Sequence, residues 1–97
     1  MQISPEIMEK WDPVAQFLVS YLQSAKGNKP ISIEQVAKAF WRTRRKQNDG
    51  DNAWRKYLNT TKQQAIFLAR QGVIELVRRG EPVDPNDFKG VIRLRLK

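Results

Sequence analysis

VIELV-RRGEPVDPNDFKG-VIRLRLK, residues 73–97, joins two alternating runs through a segment that carries two glycines and two prolines. In the first run Ile74 and Leu76 fall on one side. In the last, Ile92, Leu94 and Leu96 match them while Arg93, Arg95 and Lys97 point the other way, the period-two pattern of half-buried strands. The segment therefore predicts two antiparallel strands, with Arg78–Gly90 as the loop between them. Pro82 and Pro85 each fix φ and remove a donor, which stiffens that loop and discourages edge pairing. Two strands alone are marginal in water, so their apolar face must lie on helices.

Upstream, Ser4-Pro5-Glu6 combines a cap, a first-turn proline and an acid at the positive end of the helix dipole, predicting a short helix to Trp11. Asp12-Pro13 starts a second helix. Its apolar face is Val14, Phe17, Leu18, Tyr21, Leu22 and Ala25, and Gly27 ends it. In PISIEQVAKAFW, Ser32 and Gln35 form a capping box and Ile31 with Val36 the matching staple. Ile33, Val36, Ala37 and Phe40 are its core side, and Ile31 can add an extended residue to the terminal hairpin. The helix is expected to run on into Arg42–Lys46 and stop at the loop-forming QNDGDN, residues 47–52. A short helix over Ala53–Leu58 precedes a kink at Asn59-Thr60-Thr61, where Thr60–Gln63 and Thr61–Gln64 are spaced as capping boxes. The last helix runs to Gln71 and ends at Gly72.

Helix, extended stub, helix, helix, strand, long loop, strand is the order of a winged helix-turn-helix. The expected class is mainly α with a C-terminal β-hairpin (α+β): three core helices plus a short N-terminal helix. Residues 1–97 read as a single domain, with 1–12 as an N-terminal extension and 73–97 as the wing hairpin.

Trp54-Arg55, Leu58, Thr61-Lys62, Ala65, Leu68, Gly72, Ile74, RRGEPVDP and KGVIRLRL together resemble a bacterial domain-of-unknown-function family, number 3253, of short winged-helix-like proteins. The resemblance extends upstream to SIEQVAKAF, Ser32–Phe40. Its most specific part is the PVDP…G-x-IRLR tail. The chain departs from the family pattern by inserting a basic, loop-ended stretch, Trp41–Asn52, and by placing Asn59 where the family tends to have proline. The resemblance implies a fold and no activity, so function has to come from the site.

With no cysteine and no histidine, disulfides, thiol nucleophiles, imidazole acid–base chemistry and Cys/His zinc sites are excluded together. The paired acids Asp84 and Asp87, or Asp49 and Asp51, have no enclosure that would split their environments, and the calcium-loop pattern lacks its twelfth-position Glu. Turn chemistry accounts for them. No enzyme, no cofactor and no small-molecule substrate is expected. No apolar run reaches the length of a membrane span, and MQISPEIMEKW lacks the features of a signal peptide, so the expected location is the cytoplasm.

Charge gives the positive lead. Of 18 Lys and Arg and 10 Asp and Glu, residues 1–25 hold one and three, leaving seventeen and seven to residues 26–97. The formal net charge is +8, and a polyanion is the first partner to consider. In a helix-turn-helix the second helix presents its early residues to the major groove. The expected duplex-DNA surface is Thr60, Lys62, Gln63, Gln64 and Arg70, with Arg78, Arg79 and Lys89 at the wing's base and the run Arg42, Thr43, Arg44, Arg45, Lys46 as a phosphate clamp. The wing tip, with Glu81, Asp84 and Asp87, is a poor phosphate reader. Two rivals stay open: a protein-interaction module using Ile3, Ile7, Met8 and Trp11 as an apolar patch, and binding of structured RNA.

Overall fold

A computed structural model describes residues 5–25 and 29–97. The cap at Ser4 and the stop at Gly27 lie outside the described residues, as does Ile3. The elements in order are α1 (Pro5–Glu9), α2 (Pro13–Ser24), β1 (Ile31–Ser32), α3 (Ile33–Arg44), a 3-10 turn (Ala53–Tyr57), α4 (Leu58–Arg70), β2 (Ile74–Arg78), β3 (Glu81–Val83) and β4 (Arg93–Leu96). The described residues are mixed α+β, with four α-helices and a four-stranded antiparallel sheet of order β1-β4-β2-β3.

The helix starts follow local chemistry. Asp12 Oδ1 accepts from the Val14 N–H at 2.8 Å with Pro13 in the first turn. Ser32 and Gln35 exchange both bonds of the capping box, at 3.1 and 3.0 Å. Ile31 and Val36, the two halves of the staple, are both buried in the main core. At the end of α4 the Val73 N–H reaches Leu68 O and the Gly72 N–H reaches Ala69 O, with Gly72 at φ 77°. Those two bonds close a Schellman motif, which needs a residue tolerant of the left-handed region.

The middle of the chain restarts earlier than expected. The break falls at Leu58 rather than Thr61, and neither threonine box forms: α4 has no side-chain cap. Thr61 is fully buried instead, and its hydroxyl has no hydrogen-bond partner. Burial in the core has overridden the capping preference, because Thr61 lies on the same helical side as buried Ala65 and Leu68. The buried stripe of α2 is also wider than the sequence suggests. Ala15 and Val19 are buried with Val14, Leu18 and Leu22, while Phe17 and Tyr21 are only half-buried, since α2 packs on both α4 and β4.

The terminal strands pair as expected, Leu76 opposite Leu94 and Ile74 opposite Leu96, and β1 adds Ile31 opposite Leu94. Glu75 and Arg95 face each other across the same ladder and form an ion pair at 2.7 Å. Leu96 departs from expectation. At the strand's end it is exposed rather than part of the core.

The loop is where the sequence reading needs correcting. Arg79 (φ 54°) and Gly80 (φ 84°) make a two-residue turn directly after β2, the positive-φ pattern of a type I′ hairpin. The chain doubles back as β3, with Arg78 opposite Glu81 and Pro82 opposite Val77. The prolines therefore do not prevent edge pairing. In a two-residue hairpin the residues flanking the turn form the hydrogen-bonded pair, so Val77–Pro82 is the non-bonded pair and the proline nitrogen faces outward. The strand pairs inward and blunts the new outer edge.

Two apolar clusters result. The main one joins Leu18, Val36, Leu68, Ile74, Leu76 and Leu94. A second, smaller one lies between α3 and the 3-10 turn and consists of Ala37, Trp41 and Trp54 with Ala53, Tyr57 and Leu58 against it. Phe40 links the two, edge-on to Phe17 at 5.4 Å and to Tyr57 at 5.1 Å. The inserted stretch is thus built around tryptophans rather than left as a free loop.

Candidate nucleic-acid interface

Asn59, Lys62, Gln63 and Arg70 are the exposed polar residues along α4 before its end. Thr60 and Gln64 are half-buried. They share a helical side with Phe67, at i, i+4 and i+7, and Phe67 meets Trp11 edge-on at 6.3 Å. That side is turned toward the N-terminal segment. Of the expected reading residues, Lys62 and Gln63 are presented in the first turns and Thr60 and Gln64 are set back.

The loop after β3 runs alongside α4. Arg70 Nε donates to Asn86 Oδ1 at 2.6 Å, and Lys62 Nζ lies 5.9 Å from the centre of the Phe88 ring. Asp84 braces the loop by accepting from the Asn86 N–H at 2.9 Å. Lys62, Arg70, Asp87 and Lys89 border one open cleft between the helix and this loop. Lys62 also borders a second, with Ser32, Glu34, Val91 and Arg93. Glu34 in turn borders a third, with Lys38, Arg42, Arg55, Asp51 and Trp54. Three clefts sharing Lys62 and Glu34 thus run as one strip from Lys89 to Arg42. Arg78 reaches the same neighbourhood, its Nε 3.1 Å from where a Cβ on Gly90 would stand, and Gly90 lines the second cleft. Arg79 is exposed in the hairpin turn and borders none of the three.

The run 42–46, expected to act as one clamp, is divided. Arg42 joins the strip, but Arg44 lies over the Phe40 ring at 4.7 Å and Arg45 over Trp41 at 5.1 Å. Helical spacing separates Arg42 from Arg44, and the helix ends at Arg44. Beyond it, Asp49 Oδ2 accepts from the Trp41 indole at 3.1 Å and from the Lys46 N–H at 2.9 Å. The Lys46 backbone bond holds the Asp49 carboxyl below its ordinary range against some desolvation, helped by the indole and by the charges of Lys56 and Lys46.

Sequence reasoning passed over Lys38, Arg55, Lys56 and Arg93. Lys38 was findable, because Glu34, Lys38 and Arg42 recur every four residues and so share a helical side. Arg55 and Arg93 reach the strip only through tertiary packing. Lys38 lies 4.6 Å and Arg55 5.6 Å from the Trp54 ring centre, and Lys56 lies 5.3 Å from that of Tyr57. Among the described residues Glu75 and Arg95 form an ion pair within 4 Å. Lys38, Arg55 and Lys62 lie against aromatic faces and Arg70 against the loop, with no carboxylate within 4 Å of them among the described residues.

Ile7, Met8 and Trp11 of the rival reading's apolar patch lie among the described residues, and Ile3 lies outside them. Trp11 packs on Phe67, Met8 is half-buried, and Ile7 is exposed. Among the described residues the other large exposed apolar side chains are Val91 and Leu96. No helix among the described residues is long and apolar enough to cross a membrane.

Comparison with known proteins gives a family and no activity. No curated protein matches the sequence at a significant level. The profile of a family described as protein of unknown function, DUF3253, matches residues 12–97, a span that takes in α2 through β4 and with them every wall of the strip. The chain belongs to the DUF3253 family.

Proposed function

We propose that this chain is a winged helix-turn-helix that binds duplex DNA without catalysing a reaction. The observation that carries the reading is the position of Lys62. It stands in the first turns of α4 at the junction of two clefts, bordered on one side by Arg70 and Lys89 and on the other by Arg93. Cations from a helix, a loop and a strand meet there without acid partners within 4 Å among the described residues, on a chain of net charge +8. An array of that kind attracts a polyanion and orders it by its phosphates. Gln63, exposed beside Lys62, is the side chain placed to read an adenine edge. Recognition by α4 is confined to its first turns, because the loop at Asn86 engages its last. The acidic residues of that loop, Asp84 and Asp87, keep the tip from being the phosphate contact, and Lys89 and Arg93 take that role.

Titration of a random duplex against salt tests this. Contact with about five phosphates gives a log–log slope near −4 to −5. Lys62→Glu combined with Arg93→Glu abolishes retention at low salt while leaving thermal unfolding nearly unchanged. No duplex binding at 50 mM salt, or unchanged retention by the double variant, overturns the reading. Tighter binding to structured RNA than to the duplex, or dimerisation with no nucleic-acid binding, would turn it toward one of the two rivals.

A further inference from the structure

The third cleft of the strip lies between α3 and the 3-10 turn. Its walls are Lys38 and Arg42, one helical turn apart on α3, and Arg55 from the 3-10 turn, with Trp54 as the floor and Glu34 and Asp51 at the rim. We propose that this cleft holds a phosphodiester of the bound duplex, at a point separate from the contact made by α4. The inference rests on the duplex-binding reading and adds to it a second anchoring point that the sequence run 42–46 misplaces.

Four observations converge. The cations arrive from two elements whose relative position is fixed by the Ala37–Trp41–Trp54 cluster beneath them, so the site is built before any ligand arrives. Lys38 and Arg55 are both held against the Trp54 ring, at 4.6 and 5.6 Å, and none of the three cations has a carboxylate within 4 Å among the described residues. Cation–ring contact restrains such side chains while leaving their donors free to bind an anion. Three cations against Glu34 and Asp51 leave the lining net positive, which favours an anion. Trp54 is only 9% exposed, so it supports the cations and offers no face for a base to stack on. Binding here is accordingly independent of sequence.

The far wall is set by Asp49. By tying the Trp41 indole and the Lys46 N–H together, it closes the turn that leads to Asp51 and Asn52 and so keeps the rim beside Arg42.

The test compares two charge-matched triple variants of the full chain, Lys38→Gln/Arg42→Gln/Arg55→Gln and Arg44→Gln/Arg45→Gln/Lys46→Gln, on two duplexes of unrelated sequence. Glutamine keeps part of each aliphatic stem, and thermal unfolding checks that both variants are folded. If the cleft variant misfolds, the single change Arg42→Gln, at an exposed position, is used, with a smaller slope loss in the same direction expected on both duplexes. The expected result is a salt slope shallower by about one for the cleft triple on both duplexes, and unchanged for the other triple. Equal slopes for the two triples, or a loss confined to one duplex sequence, overturn the inference while the duplex reading stands. Failure of the unaltered protein to bind either duplex sinks both. A cleft triple with the original slope, alongside loss of binding by Lys62→Glu, leaves α4 as the contact and removes this one.

Discussion

Arg70 on the last turn of α4 donates its Nε hydrogen to Asn86 Oδ1, 2.6 Å away and sixteen residues later. This bond ties the free loop of the hairpin to the helix proposed to face DNA, and it makes loop position a property of helix packing. Asn86→Ala removes the tie without touching the core. Because both residues are exposed, global stability shifts by less than about 0.5 kcal/mol. The Asp87 amide, which bonds to Asp84 O, exchanges faster with solvent as the loop opens locally. Unchanged exchange at Asp87 in the variant would show that the loop holds its place without Arg70.

Thr61 presents the opposite situation, a fully buried hydroxyl with no hydrogen-bond partner. Thr61→Val replaces that hydroxyl with a methyl of similar shape, and the two residues have similar helix propensity. Removing the desolvated group stabilises the protein by about 1 kcal/mol, which raises Tm by roughly 4–8 °C for a domain of this size. A fall in Tm of that size would mean the hydroxyl has a partner in solution, such as a buried water.

At Gly80 the backbone itself is at stake. Its φ is 84° and a Cβ there would meet nothing within 4 Å, so Gly80→Ala acts through backbone strain alone and lowers stability by about 1–2 kcal/mol. Gly50 is the control, equally open but without a positive φ. Urea unfolding of Gly80→Ala and Gly50→Ala separates the two, and equal midpoints would contradict the tight turn.

Asp49 links stability to pH. Its folded carboxyl is held below the ordinary value of 3.8, chiefly by the Lys46 N–H. A depressed folded pKa contributes stability that is fully present above the unfolded value and is lost as pH falls through the folded one. Asp49→Asn is therefore less stable than the natural chain at neutral pH, and the gap closes as pH drops below about 3.8. Parallel thermal melts from pH 7 to pH 2 check this, and a gap constant across the range would remove the carboxylate from the account.

Much of the fold could be read locally. The capping box at Ser32, the proline start at Pro13, the stop at Gly72 and the alternation in 73–77 and 91–97 each depend on residues within one or two turns. The threonines at 60 and 61 misled for the same reason. Their capping preference is local, but burial of Thr61 beside Ala65 and Leu68 is worth more to α4 than a cap. The edge strand β3 was hidden because Pro82 speaks against a strand unless its nitrogen is known to face outward, and that depends on the phase of the Arg79-Gly80 turn.

The candidate interface was legible as composition and not as a place. An excess of Lys and Arg after residue 25, and a helix carrying Lys62 and Gln63, follow from residue order, since charge and helical periodicity are properties of neighbours in the chain. Folding settled which cations meet. Arg42 and Arg44 are two residues apart in a basic run yet part company around a helix, while Lys38, Arg55, Lys62 and Arg93 converge from four elements. The physical reason is that side-chain direction is set by backbone geometry and by the packing of Trp41 and Trp54 between α3 and the 3-10 turn, which brings distant residues together through burial that no local pattern encodes.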